Sequence, residues 1–194
     1  MPVFPELLEV QLPTTQTLSS GITIEIRTLR PEDNEQLWAF FKAIPEHDKL
    51  YLKEDLSHPS VAEEWCKNIN YDEMLPIVAT DNNKIIGYAT LRQYKRTWFR
   101  HIGIVRVTVH PDYRKKGIAR TLLDQICELG KHSGLEKLEA EFMAEQENAI
   151  HLFEMFGFIK MAVLPKHVID FTGKRHDFVI MNFNMRDDEH HAAD

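Results

Sequence analysis

The segment Val105-Arg106-Val107-Thr108-Val109-His110-Pro111-Asp112-Tyr113-Arg114-Lys115-Lys116-Gly117-Ile118-Ala119 constrains the fold more than any other stretch of the chain. Its β-branched run reads as a strand and stops at a proline, which cannot donate to a sheet ladder. A short basic turn follows. Gly117 then opens an amphipathic helix with Ile118, Leu122, Ile126 and Leu129 on one face. Strand, turn and helix N-terminus in direct succession gather outward-pointing N–H groups and the positive end of a helix dipole at one point. Such a point holds a phosphate or pyrophosphate. Gly117 has no Cβ, so a ligand can approach the backbone closely, and small Ala119 lets the helix start lie near neighbouring strands. The competing reading is an ordinary strand-to-helix connection with solvated basic residues.

The rest of the chain supplies elements on both sides of this unit. Ile22 to Arg27 alternates as a strand, and Pro31-Glu32-Asp33 starts a helix with Leu37, Phe40, Phe41 and Ile44 inward. A second helix is expected over Ser60 to Ile69. Leu75 to Ala79 and Ile85 to Gln93 form a hairpin across Asp81-Asn82-Asn83-Lys84, and His101 to Val109 is the next strand. After the helix from Gly117 to Lys131 come a strand (Leu135 to Met143), a helix (Asn148 to Phe156) and two strands (Phe158 to Pro165 and Asp177 to Met185). The expected organisation is an N-terminal arm over 1–20, one domain over 21–186 and a disordered tail over 187–194. His190 and His191 in that tail carry no assigned role.

Composition narrows the function classes. A chain of 194 residues, 43% hydrophobic and 27% charged, can bury one sizeable core. A net charge of −7 argues against a nucleic-acid partner and suits a cationic acceptor such as an amine. The two cysteines, Cys66 and Cys127, fit neither a metal nor a disulfide framework. No apolar run approaches transmembrane length, and the N-terminus lacks a signal-peptide pattern, so the expectation is a cytoplasmic chain with no membrane or metal partner.

The basic turn resembles the coenzyme A pyrophosphate loop of the GNAT superfamily of N-acetyltransferases, whose pattern Arg/Gln-x-x-Gly-x-Gly/Ala is matched by Arg114, Gly117 and Ala119. A second segment, Asn148-Ala149-Ile150-His151-Leu152-Phe153-Glu154-Met155-Phe156-Gly157-Phe158, is similar to the family's Asn-x-x-Ala-x-x-Leu-Tyr-x-x-x-Gly-Phe. Ala149, Leu152, Gly157 and Phe158 match in place. The family Asn falls on Gln146, with Asn148 two residues later, and the family Tyr is Phe153. The resemblance covers about Ile22 to Met185. It implies a three-layer α/β/α fold with a mixed, mostly antiparallel sheet, two splayed central strands and acetyl-CoA in the cleft between them.

The resemblance assigns coenzyme A contacts to Val107, Thr108 and Val109 along a strand edge, and to Arg114, Lys115, Lys116, Gly117, Ile118, Ala119 and Arg120 in the loop. Gln146, Asn148 and Phe153 complete the set, Phe153 as a wall of the thioester channel. The family Tyr often protonates the departing thiolate, and Phe153 cannot. With a thiol pKa near ~8.5, expelling thiolate at pH 7 costs only ~2 kcal/mol, whereas freeing the lone pair of an amine of pKa near ~10.4 costs ~4.6 kcal/mol. The base therefore matters more than the acid, for which Tyr94, Tyr113 or water can substitute. One family position for a Glu is Gly103 here. Another is Glu141, the candidate base, with Glu139 on the same strand face and His101 as a weaker alternative. A solvent-facing glutamate is the competing reading for Glu141. His110 reads as structural or solvated, and His151, His167 and His176 have no evident partners in sequence.

The leading reading is transfer of an acetyl or similar short acyl group from coenzyme A to a primary amine, on a small molecule or a protein, by direct attack in a ternary complex. A homodimer is left open. The alternative is a non-catalytic acyl-CoA-binding or regulatory domain of the same fold, supported by Phe153 and Gly103. A P-loop nucleotide enzyme is disfavoured by the absence of Gly-x-x-x-x-Gly-Lys-Ser/Thr.

Overall fold

The computed structural model describes residues 11–56 and 58–186. Residues 1–10 of the expected arm and all of the expected tail, including His190 and His191, lie outside the described residues. The described chain forms strands β1 (Thr14–Thr17), β2 (Thr23–Thr28), β3 (Met74–Asp81), β4 (Lys84–Gln93), β5 (Ile102–Val109), β6 (Lys137–Met143), β7 (Ile159–Ile169) and β8 (Arg175–Asn184). Its helices are α1 (Asn34–Ala43), α2 (Glu46–Lys49), α3 (Pro59–Lys67), α4 (Ile118–His132) and α5 (Glu147–Phe156).

The eight strands make one open sheet in the order β1-β2-β3-β4-β5-β6-β8-β7. Every neighbouring pair is antiparallel except β5 and β6, which run parallel. That pair is joined by the crossover through α4, the connection that a parallel pair requires. The period-two pattern of the strands sends alternate side chains into two separate cores. On one face Ile77, Ala89, Leu91, Val105, Leu138 and Met181 pack with Leu122, Ile126, Ile150 and Phe153 from α4 and α5. On the other, Val78, Ile85 and Tyr88 pack with Phe40 and Phe41 of α1 and Ala62 and Cys66 of α3. Helices therefore cover both faces, giving three layers. Truncating one fully buried leucine of this kind, Leu122 for example, costs about 2–5 kcal/mol.

Two local features tie helices to the sheet. Gly87 on β4 lies so close to α4 that an added Cβ would meet Ile118 Cγ2 and Leu122 Cδ1, both at 2.9 Å. The first turn of α4 is thus seated directly on the sheet beside the end of β5. At the start of α1, the buried Arg27 guanidinium forms a bidentate pair with Asp33 at 2.7 and 2.8 Å, and Asp33 also accepts the Arg30 N–H at 2.8 Å.

Three elements differ from the sequence reading. Thr14–Thr17, inside the expected arm, pairs with β2, and Leu12 and Leu18 on either side of it are buried. The short helix α2 lies in a stretch to which the sequence reading gave no element. β7 runs on to Ile169 through an irregularity between Leu164 and Val168. Both cysteines are buried without a disulfide.

Candidate active site

The β5–β6 ladder has three rungs, Ile102 with Lys137, Gly103 with Leu138 and Ile104 with Glu139. β5 continues to Val109 along β4, and β6 continues to Met143 along β8. The two central strands therefore diverge after Ile104, and the divergence opens toward the Gly117 turn. Peptide direction along β5 follows from its two ends. The His101 carbonyl accepts from Glu136 and Lys137 N–H groups beside β6, while His110 N–H donates to the Ile86 carbonyl beside β4. With period two, the peptides of Val105, Val107 and Val109 face the cleft, and those of Arg106 and Thr108 face β4. Of the three strand residues assigned to coenzyme A, Val107 and Val109 thus offer backbone groups to the cleft and Thr108 does not.

At the open end the chain turns through a 3₁₀ segment (Pro111–Tyr113), with His110 Nδ1 accepting the Asp112 N–H at 3.3 Å. His110 is therefore a capping residue, and its burial holds its pKa down. Lys115 (φ 60°) and Gly117 (φ 91°) both adopt left-handed backbone, which curls successive amides toward one side. A Cβ on Gly117 would meet nothing within 4 Å. The first hydrogen bond of α4 runs from Thr121 N–H to the Gly117 carbonyl at 3.0 Å, so the N–H groups of Gly117, Ile118, Ala119 and Arg120 precede it. No side chain caps this end.

The Arg114, Lys116 and Arg120 side chains of the loop are engaged elsewhere. Arg114 forms a 2.6 Å ion pair with Asp48 of α2 and approaches the Val109 carbonyl at 3.4 Å. Lys116 Nζ donates to the Asp112 carbonyl at 2.7 Å and lies 4.8 Å over the Tyr113 ring. The Arg120 guanidinium sits 5.7 Å over the Phe156 ring. The anion-holding capacity of the turn is therefore chiefly that of backbone amides and the helix dipole.

Glu141 lies on β6 two residues past the last rung, on the sheet face shared with Glu139 and, on β5, with Arg106 and Thr108. Lys53, from the connection between α2 and α3, brings its ammonium against Glu141 Oε2. Its neighbour Glu54 takes Arg106 Nη1 with both oxygens at 2.8 Å. Glu139 is pushed above the ordinary carboxyl range by burial and then by the charge of Glu141, while Lys53 opposes the shift. The Asn182 amide, turned to satisfy both its ends, donates to Glu139 Oε2 at 3.2 Å. The cleft thus presents two carboxylates of the same strand on one face.

The other assigned residues fall as follows. Gln146 Oε1 accepts the Met143 N–H at 2.9 Å, closing the end of β6, and Asn148 is exposed in the first turn of α5. Phe153 is 3% exposed, with its ring 5.0 Å from that of Phe142 and 4.8 Å from that of Phe158. At Gly103 a Cβ would meet Leu91 and Leu135 methyls at 2.6 and 2.7 Å, so a side chain there requires these leucines to shift. His101 and Tyr94 lie at the closed, paired end of β5, away from the divergence. Tyr113 donates to Asp81 at 3.2 Å. Cys66, with its thiol pushed up to about 11 by burial, is no nucleophile at neutral pH. Among the described residues there is no cluster of three or more His, Cys, Asp or Glu side chains suited to a metal.

Two features escaped the sequence reading. Lys53 reaches Glu141 across a separation of 88 residues. His176, read as partnerless, is buried between Asp170 (2.8 Å to Nε2) and Glu145 (2.7 Å to Nδ1). No sequence pattern signals either pairing.

Comparison with known proteins gives the family. The family model for the acetyltransferase (GNAT) family matches residues 32–158. The chain belongs to the GNAT family. Among GNAT relatives, it is 29% identical over 91 residues to the L-amino acid N-acyltransferase MnaT of Escherichia coli, covering 46% of this chain and 53% of that one. The match thus spans about half of MnaT. It is 25% identical over 138 residues to a thialysine N-epsilon-acetyltransferase of Caenorhabditis elegans, covering 71% and 84% of the two chains. A GNAT acetyltransferase structure from Streptococcus pneumoniae superposes with TM-score 0.72 at 23% identity, over 83% of this chain and 99% of that one. The yncA structure from Salmonella typhimurium with acetyl-CoA superposes with TM-score 0.71 at 21% identity, over 84% and 94%. The mixed, mostly antiparallel open sheet with helices on both faces is the GNAT fold. No helix among the described residues is long and apolar enough to cross a membrane.

Proposed function

We propose that this protein transfers an acetyl or similar short acyl group from coenzyme A to a primary amine by direct attack in a ternary complex. The observation that carries the reading is the divergence of β5 and β6 between two chemically distinct parts: uncapped amides at Gly117 and a carboxylate at Glu141. The acyl-CoA thioester supplies an activated acyl carbon and a thiolate leaving group. Residues of the loop and of β5 fit its parts. The N–H groups from Lys116 to Ala119 hold the pyrophosphate, with Arg114, Lys115 and Arg120 supplying the surrounding positive field. The cleft-facing peptides of Val107 and Val109 pair with the amides of the pantetheine arm as an added strand would. A strand N–H near Val109 polarises the thioester carbonyl.

Glu141 takes the proton of the attacking amine, directly or through one water, and its neighbour Glu139 adds negative charge that favours a cationic acceptor. Phe153 contributes packing behind the cleft, and water reprotonates the thiolate. Amine acceptors are also what the names of the relatives state: amino acids for MnaT, the ε-amine of thialysine for the worm protein. A cytoplasmic setting, where acetyl-CoA is made and used, suits the reading.

The test is Glu141→Gln, which keeps shape and removes basicity. It should lower kcat by roughly 10²-fold, the usual scale for a lost general base, with acetyl-CoA affinity unchanged. A variant that retains most of its kcat would transfer the role to Glu139 or to water. Tight acyl-CoA binding with no turnover on any amine would instead favour a binding domain.

A further inference from the structure

The Lys53 ammonium is the one cation that forms an ion pair with either carboxylate of the cleft face among the described residues. It is a primary amine, the chemical class that the proposed reaction consumes, and it touches the atom assigned to accept the amine proton. Its side chain is 42% exposed, compared with 18% for Glu141, so the pair sits at the mouth of the cleft and is open to exchange. The Phe178 ring lies 5.7 Å beneath the ammonium, on β8 beside β6. The backbone that carries Lys53 lies in residues 50–56, which form neither helix nor strand. The neighbouring Glu54–Arg106 pair ties that connection to β5. Half-exposed pairs of this kind contribute little to stability. Their position therefore has to be read chemically.

We infer that Lys53 is an internal acceptor: the protein acylates the Nε of its own Lys53 through the contact between that amine and Glu141. The inference rests on the acyltransferase reading above. Lys53 ammonium gives one proton to Glu141, and the freed lone pair forms a bond to the acyl carbon. The C–S bond breaks, and coenzyme A leaves as thiolate. The nitrogen loses its second proton to water, the thiolate takes up the proton held on Glu141, and a neutral Nε-acyl lysine remains. The balance is one ammonium and one thioester giving one amide, one thiol and one released proton. Tethering makes the reaction intramolecular, so it proceeds at a rate independent of protein concentration. Acylation removes the positive charge, dissolves the pair with Glu141 and leaves that carboxylate available to external amines.

The test incubates the full chain with deuterated acetyl-CoA and no added amine, and follows each lysine by peptide mass spectrometry. Lys53 should gain label at least tenfold faster than the exposed Lys160 and Lys174, at the same rate per molecule over a hundredfold range of protein concentration. Glu141→Gln should reduce Lys53 labelling at least tenfold, with the fold checked by circular dichroism. Gly117→Asp, which acts at the acyl-CoA loop far from Lys53 in sequence, should do the same. Labelling of Lys53 no faster than other exposed lysines, or a rate that rises with protein concentration, overturns the inference. If Lys53 stays unlabelled while external amines release thiol, the inference fails and the acyltransferase reading stands. If neither occurs, both fail.

Discussion

Ile104 and Glu139 form the last rung between β5 and β6, and Glu141 follows one side-chain step beyond it on the same face. The ladder ends just before the candidate base, so the position of that carboxylate is set by paired strand on one side and by the cleft on the other. A longer ladder would place β5 backbone in the cleft where the acyl donor is proposed to lie. A shorter one would leave Glu141 on an unsupported strand end. The β6–β8 ladder, in which Glu141 faces Ile180, gives the support that the β5–β6 pair stops providing.

At the other end of the cleft, Gly117→Asp should weaken acetyl-CoA binding at least tenfold, ~1.4 kcal/mol, in a calorimetric titration. The backbone there has φ 91°, so any side chain introduces strain as well as charge. Gly117→Asn separates the two, because Asn tolerates left-handed backbone about as well as Asp and carries no charge. Asn should lose much less affinity than Asp. Equal losses would assign the effect to the backbone and not to an anion at the loop.

Gly103→Ala tests why a family glutamate position is glycine here. A methyl group would lie 2.6–2.7 Å from the Leu91 and Leu135 side chains. Overpacking of that kind costs about 1–3 kcal/mol, read as a lowered denaturation midpoint. Unchanged stability would show that the neighbours give way easily and that packing does not explain the glycine.

The loop and its helix were legible in the sequence because their signals are local. Pro111 stops the strand, Gly117 marks the left-handed turn, and the apolar face of α4 has a strong helical period. β1 was not legible. Thr14–Thr17 is polar throughout, and it is held by pairing with Thr23–Ile26 and by Leu12 and Leu18 at its flanks. β7 was read only as far as Pro165, because its continuation to Ile169 runs through an irregularity between Leu164 and Val168 on the outer edge of the sheet. The engagement of Arg114 by Asp48 and of Glu141 by Lys53 joins segments 66 and 88 residues apart. Contacts made by tertiary packing leave no periodic trace in the chain.

Phe153→Tyr adds a hydroxyl at the family's usual position, but the site is buried against Phe142 and Phe158. A buried hydroxyl without a partner costs about 1–3 kcal/mol, so chemical denaturation should show that loss. If thiolate departs without a protein acid, as proposed, kcat should change by less than about tenfold. A gain of several hundredfold from near zero would mark the natural protein as a disabled relative.

His176 makes stability depend on pH. Asp170 and then Glu145 hold its charged form, so its folded-state pKa lies above the ordinary histidine value. That contribution is full below the unfolded value near ~6.5 and is lost as pH rises through the folded one. Asp170, held by Thr172 and His176, and Glu145, held by His176, lie below the ordinary carboxyl range. Their contribution is full above the unfolded carboxyl values and is lost as pH falls through the folded ones. Lys174 nearby opposes the histidine shift. His176→Gln keeps hydrogen-bonding capacity without the titration. The difference in Tm between the two proteins should therefore shrink from pH 6 toward pH 9, values of roughly the histidine range. A constant difference would contradict the charged bridge.

The most direct measurement of acyl transfer to an amine in the cleft counts both products. The protein is incubated with acetyl-CoA and each of a panel of primary amines, including free amino acids, a thialysine-type ε-amine and a peptide with a free N-terminus. Free thiol and N-acetyl amine are then quantified by absorbance and mass spectrometry. At least one amine should yield the two products in equal amounts at a rate that Glu141→Gln lowers roughly 10²-fold. Thiol release without acylated amine, or firm acetyl-CoA binding with neither product, would contradict it.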